Sequence, residues 1–141
     1  MANTIHCDIV SAHREIFSGK VAVVYALGVA GELGIHPHHA PLFTQLKPGT
    51  VRIEDESGTE QLFVVSGGIL EVQPHVVTIM ADTVSRSDEL DRSSAETAKA
   101  EAERELLSSK GQMEIADAEV KLQKALADLQ ALDRLRKKAK R

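Results

Sequence analysis

The chain has 141 residues, a formal net charge of −4 and only 3% aromatic residues, with no Trp. That composition argues against a binder that stacks bases or sugars on rings, and the acidic balance argues against the chain as an electrostatic partner for nucleic acid. The single cysteine, Cys7, excludes an internal disulfide and a Cys-based zinc cluster. Cys7 alternates with Ile5 and Ile9 on one face of a predicted strand and reads as a small buried hydrophobe rather than a nucleophile. The longest apolar run, residues 21–27, falls short of the ~20 residues that a membrane-spanning helix needs. Residues 1–4 carry no basic segment followed by an apolar one, so the expectation is an intracellular protein that meets a membrane only through a partner.

Composition changes near residue 85. Eight of the nine Gly, all four Pro and all four aromatics precede it, and ten of the seventeen Ala follow it. Residues 1–84 carry four basic and nine acidic side chains; residues 85–141 carry thirteen and twelve. Two units are therefore expected, 1–85 and 86–141.

The first unit reads as β. Period-2 or short apolar runs recur at 4–10, 20–27, 50–54, 62–65, 69–72 and 76–80. Turn signals separate them at Ser18-Gly19, 31–34, Pro48-Gly49, Ser57-Gly58, Gly67-Gly68 and Pro74-His75. Turns at such short intervals, with no long helical pattern between them, predict a sandwich or barrel.

The second unit reads as helix. Asp88 is the predicted N-cap of a first helix that ends near Ser108. Ser108-Ser109-Lys110-Gly111 breaks it, and a second helix is predicted over about 114–137. There Ile115, Ala118, Leu122, Ala125, Leu129 and Leu132 form a heptad seam. The first helix offers Ala95, Ala98, Ala102 and Leu106 as its matching stripe. Two such stripes joined by a short break predict an antiparallel hairpin. Its Ala-rich contact buries little area, so a compact β body with a movable helical arm is expected.

No catalytic constellation emerges. His36-Pro37-His38-His39 offers an H-x-H, but Leu42 and Phe43 stand where an acidic ligand would follow, and no carboxylate cluster completes a three-ligand site. No metal and no cofactor are expected. Gly28, Gly31 and Gly34 follow a G-x-x-G-x-x-G spacing with no helix behind it, unlike a dinucleotide fingerprint. Ser11 and His13 lack a placed acid, and Ser66 beside Gly67-Gly68 reads as a turn residue. Arg134, Arg136, Lys137, Lys138, Lys140 and Arg141 place six basic residues in the last eight. This run either balances the helix dipole and ends in a solvated tail, or docks onto an acidic surface of a partner protein.

A family resemblance rests on ordered motifs. These are Gly31-Glu32-Leu33-Gly34-Ile35, Pro37 with His39-Ala40-Pro41-Leu42, Lys47-Pro48-Gly49, the stretch from Ser66-Gly67-Gly68 to Gln73-Pro74, and Ala81-Asp82-Thr83. With these gaps the whole chain resembles the bacterial ATP synthase epsilon subunit family. The resemblance implies an N-terminal β-sandwich of ten strands and a C-terminal helical hairpin. It implies a non-catalytic rotor subunit that binds gamma and the c-ring and couples ring rotation to the catalytic head. Its hairpin would extend toward the alpha and beta subunits and inhibit ATP hydrolysis. The location implied is peripheral, on the cytoplasmic face of the bacterial inner membrane. By position, the loop Glu32-Leu33-Gly34 would face the c-ring, and Ser11, His39 and Thr44 would face gamma. Ser109, Arg134, Arg136, Lys137 and Lys138 would approach alpha and beta. Asp91 falls in the family's nucleotide motif, read here as Leu90-Asp91-Arg92-Ser93-Ser94-Ala95. Ser94 stands where that motif has an Arg, so ATP binding is expected to be weak or absent. A β-sandwich adaptor whose coiled-coil arm binds another protein, and a metal-dependent enzyme on a β-barrel, are the alternative readings.

Overall fold

The computed structural model describes residues 3–87, 90, 92–108 and 110–139, the last three as backbone. Ten strands are followed by two helices: β1 (Ile5–Ser11), β2 (Glu15–Val21), β3 (Val23–Gly28), β4 (Gly31–Ile35), β5 (Leu42–Leu46), β6 (Gly49–Glu54), β7 (Glu60–Val65), β8 (Gly68–Val72), β9 (Val76–Ala81), β10 (Val84–Arg86), α1 (Arg92–Ser108) and α2 (Gln112–Ala139). The hydrogen-bonded order is β10-β7-β6-β3-β5-β8-β9-β1-β2, with β4 on the other edge of β3. One pair, Gly28 with Leu46, joins β3 to β5, so the path divides into two facing layers. β10, β7, β6, β3 and β4 form the first sheet; β5, β8, β9, β1 and β2 form the second. All pairs are antiparallel except β1 with β9.

Alternation explains the core. Ile5, Cys7 and Ile9 of β1, Val51 and Ile53 of β6, Phe63 and Val65 of β7, and Val77 and Ile79 of β9 all point between the layers and are buried. Arg86 closes the open side: its guanidinium donates to the Ile16 carbonyl at 2.7 Å and lies over the Phe63 ring. It thereby ties the last strand of one sheet to the edge strand of the other.

Four predicted details change. Ser18-Gly19 lies inside β2 and Gly34 inside β4, because pairing with β1 and β3 keeps both segments extended. The turn after β3 is Val29-Ala30 instead. The run 20–27 is two strands broken at Ala22. Ala98 is exposed, and the covered stripe of α1 runs through Ala95, Lys99, Ala102 and Leu106, a 4,3,4 spacing on one helix face. The expected cap at Asp88 lies outside the described residues.

The helices form an antiparallel hairpin, with Ala95 and Ala102 of α1 and Ala118 and Ala125 of α2 buried. A second face of α2 lies on the outer side of the first sheet. There Ala127 and Ala131 pack on Val64, with Leu90 beside them. This is why all four residues of the run 62–65 are buried: Phe63 and Val65 face the sandwich core, and Leu62 and Val64 face the other way. Among the described residues no helix is long and apolar enough to cross a membrane.

Candidate interaction surfaces

Three surfaces carry the residues singled out in the sequence. The first is the outer face of the second sheet. Register places Gln45, Ile69, Met80, Val10 and Glu15 in one row across five strands, and Phe43, Glu71, Thr78, Asp8 and Ser18 in the next. Phe43 is 68% exposed and Met80 38%, with Ile69 and Val10 half-buried, so an apolar strip lies open on the sheet opposite the one on which α2 packs. Asp8 is held below its ordinary carboxylate range, first by the Ser18 hydroxyl at 2.7 Å and then by the His6 ring at 2.9 Å. Phe43 was legible in the sequence. With Leu42 and Leu46 facing inward, period 2 sends Phe43 and Gln45 outward.

Ser11, His39 and Thr44 do not converge on one spot. Ser11 pairs with Ala81 at the end of the sheet where Gly68 pairs with Leu46. His39 lies at the opposite end, in the loop before β5. There the His38 amide donates to the Pro74 carbonyl at 3.0 Å, and the His38 ring meets His75 edge-to-face. Thr44 is half-buried in β5 and shares the inward side with Leu42 and Leu46. The three mark two ends and one edge of the second sheet.

The second surface is β4. Glu32 and Gly34 share the outer face of the first sheet with their partners Leu27 and Tyr25, and both are exposed. Leu33 points the other way and packs against the core. The predicted loop is therefore a strand, and its three residues alternate between two faces. Arg52 stacks 4.0 Å above the Tyr25 ring and pairs with Glu60 at 2.8 Å. Arg134 of α2 lies across from them and lines, with Glu32, Tyr25, Thr50 and Arg52, a cleft of about 340 Å³ between sheet and helix. The structure thus brings together Glu32 and Arg134, which the sequence reading assigned to different partners.

The third surface is the hairpin. Arg134 and Arg136 are exposed near the end of α2. The side chains of Lys137 and Lys138, and all of Ser109 and Asp91, lie outside the described residues. Ser94 is on the exposed side of the first turn of α1. Arg92, the nearest basic residue, is engaged by Asp133 across the hairpin and by Glu96. Leu107 and Met113 flank the bend and are 89% and 83% exposed. Sequence reasoning missed Asp128, which is 7% exposed on α2. Its Oδ2 accepts from Lys124 Nζ at 3.0 Å, while its Oδ1 is buried with no donor among the described residues. Among those residues no three His, Cys, Asp or Glu side chains are grouped to hold a metal.

Residues 4–87 match the family model of the ATP synthase delta/epsilon chain β-sandwich domain, and residues 88–133 match that of its long α-helix domain. The chain is 51% identical over 138 residues to an ATP synthase epsilon chain of Nitrosococcus oceani, covering 98% of this chain and 99% of that one. It is 54% identical over 139 residues to one of Stenotrophomonas maltophilia, with the same coverage. A chain in the cryo-EM structure of the Euglena gracilis mitochondrial ATP synthase superposes with a TM-score of 0.82 at 25% identity, covering 94% of this chain and 83% of that one. A chain from the Tetrahymena thermophila mitochondrial ATP synthase central stalk and c-ring shares the fold, with a TM-score of 0.63 at 14% identity, over 90% of this chain and 95% of that one. Two domain matches in the right order and half-identity over the full length, on this sandwich and hairpin, have one consequence: the chain belongs to the ATP synthase delta/epsilon family.

Proposed function

We propose that this chain is the epsilon subunit of an ATP synthase central stalk, a non-catalytic rotor part that couples c-ring rotation to the catalytic head. Residues 1–85 are the rotor-binding unit and residues 86–141 the regulatory arm. The outer face of the second sheet seats the gamma subunit, with Ser11, His39 and Thr44 at its margins. Glu32 and Gly34, exposed on β4, face the polar loops of the c-ring, with Leu33 anchoring the strand from behind. When the hairpin leaves the sandwich it extends along gamma. The end of α2, with Arg134, Arg136, Lys137 and Lys138, and the bend at Ser109 then meet the alpha and beta subunits and stop ATP hydrolysis. The subunit sits on the cytoplasmic face of the bacterial inner membrane, held there through the complex.

The open strip of Phe43, Ile69, Met80 and Val10 carries this reading. A Phe left 68% exposed in a contiguous apolar strip marks an interaction site. Seating that ring on a partner is favourable by about 1.5–3 kcal/mol. Phe43→Glu should leave the sandwich folded, because the side chain touches no core. It should weaken association with gamma by about tenfold or more, read by titrating the variant into epsilon-depleted complex. Unchanged affinity would move the gamma site to another face.

A further inference from the structure

We infer that Asp128 is built into the docked hairpin as a release element, a buried carboxylate that holds the docked and released arms near balance. The inference rests on the proposed reading that the arm leaves the sandwich, and it names the residue that sets how readily it does so. Asp128 stands beside Ala127 and is one helical turn from Ala131, the two residues of α2 that pack on Val64. It is equally one turn from Ala125 on the face toward α1, so it stands where hairpin and sheet meet, and in the docked arm it is 7% exposed. One oxygen is served by Lys124 at 3.0 Å; the other is buried with no donor among the described residues.

Desolvating a half-satisfied carboxylate disfavours whichever state buries it. The released arm exposes both oxygens to water and escapes that cost. The apolar cluster at the centre of the contact that Asp128 opposes is small, two Ala with Val64 and Leu90. One unsatisfied oxygen therefore weighs directly against that cluster. Lys124 is 40% exposed on its side chain and keeps its ammonium in water in either state, so its ion pair with Asp128 favours docking. The two members of this pair thus push in opposite directions. Removing the carboxylate tightens the arm, and removing the ammonium loosens it.

The test uses the full chain carrying Ala131→Cys, which places a thiol at a position 1% exposed under the docked arm. Its labelling by a maleimide measures release of the arm. Cys7, fully buried in the sandwich core, measures global unfolding in the same molecule. Adding Asp128→Ala should slow labelling under the arm by about tenfold, the effect of removing one unsatisfied buried polar group. Adding Lys124→Met should speed it. Asp117→Ala, the same exchange at an exposed position of α2, controls for helix propensity and should change the rate less than about twofold. Labelling indifferent to Asp128→Ala, or slowed equally by Asp117→Ala, overturns the inference and leaves the releasable arm standing. Labelling under the arm that is no faster than at Cys7 overturns the releasable arm itself, and the inference with it.

Discussion

Cys7 and Asp8 are neighbours in β1 with opposite surroundings. Burial in the core pushes the Cys7 thiol up to about 12, with the Asp8 charge adding to the rise. That thiol is therefore packing material and not a nucleophile. Asp8, on the open face, is held as a carboxylate by Ser18 and His6. Its folded pKa lies below its unfolded value, so the stability it contributes is present above the ordinary carboxylate range and is lost as pH falls through the folded value. Asp8→Asn should lower the melting temperature at pH 7, and the difference from the parent should shrink steadily below about pH 4. A constant difference from pH 7 to pH 2.5 would show that Asp8 acts through shape alone.

Among the elements, the entry to β8 is the most exacting. Gly67 and Gly68 stand at φ 98° and 142° where the chain turns from β7 into β8. A Cβ on Gly68 would sit 2.0 Å from the Met80 carbonyl oxygen of β9, a backbone atom that cannot swing away. Gly68→Ala should destabilise the sandwich by about 2–4 kcal/mol through strain at that φ and the forced parting of β8 from β9, read by chemical denaturation. Gly58, also at positive φ, has nothing within 4 Å of its Cβ position, so Gly58→Ala should be much milder. A Gly68→Ala variant as stable as Gly58→Ala would mean that β8 and β9 part freely.

At the scale of the whole molecule the two units are unequal. The sandwich has an interior of nineteen buried hydrophobic side chains, whereas the apolar cluster between hairpin and sandwich holds, among the described residues, three, Val64, Ala127 and Ala131, with Leu90 beside them. Removing residues 88–141 should leave a cooperatively folding sandwich that still joins gamma, because Arg86 and β10, which close it, are retained. The reassembled synthase should stay coupled and hydrolyse ATP faster; a truncated chain that fails to join gamma would refute the division. Neutralising Arg134, Arg136, Lys137, Lys138, Lys140 and Arg141 together should weaken inhibition. One exposed pair contributes about 0.2–1 kcal/mol, so single changes should have little effect. Added salt should mimic the sixfold change, since screening falls to about 3 Å at 1 M. Hydrolysis rates that respond to neither would exclude electrostatic docking of the helix end.

What the sequence determined by itself is what local pattern controls. Alternation placed Ile5, Cys7 and Ile9 inside, and the 3,4 spacing made 115–132 a helix with its seam toward α1, because side-chain direction has period 2 in a strand and 3.6 in a helix. The family motifs were legible for the same reason, being short and ordered along the chain. Where a segment's partner lies far away in sequence, the local signal failed. Ser18-Gly19 and Gly34 look like turns but lie in strands, since β1 and β3 supply the hydrogen bonds that keep them extended. The second buried face of β7 depends on α2, more than sixty residues downstream, and no pattern within 62–65 says which layer covers Leu62 and Val64. Asp128 carries no mark of burial in the sequence, because an Asp beside a Lys one turn away describes any solvated helix face. Only the tertiary packing around α2 takes it out of water, and only packing of α2 against the first sheet sets Arg134 across the cleft from Glu32. Burial of polar groups is decided by which surfaces meet, and that is a property of the assembled chain.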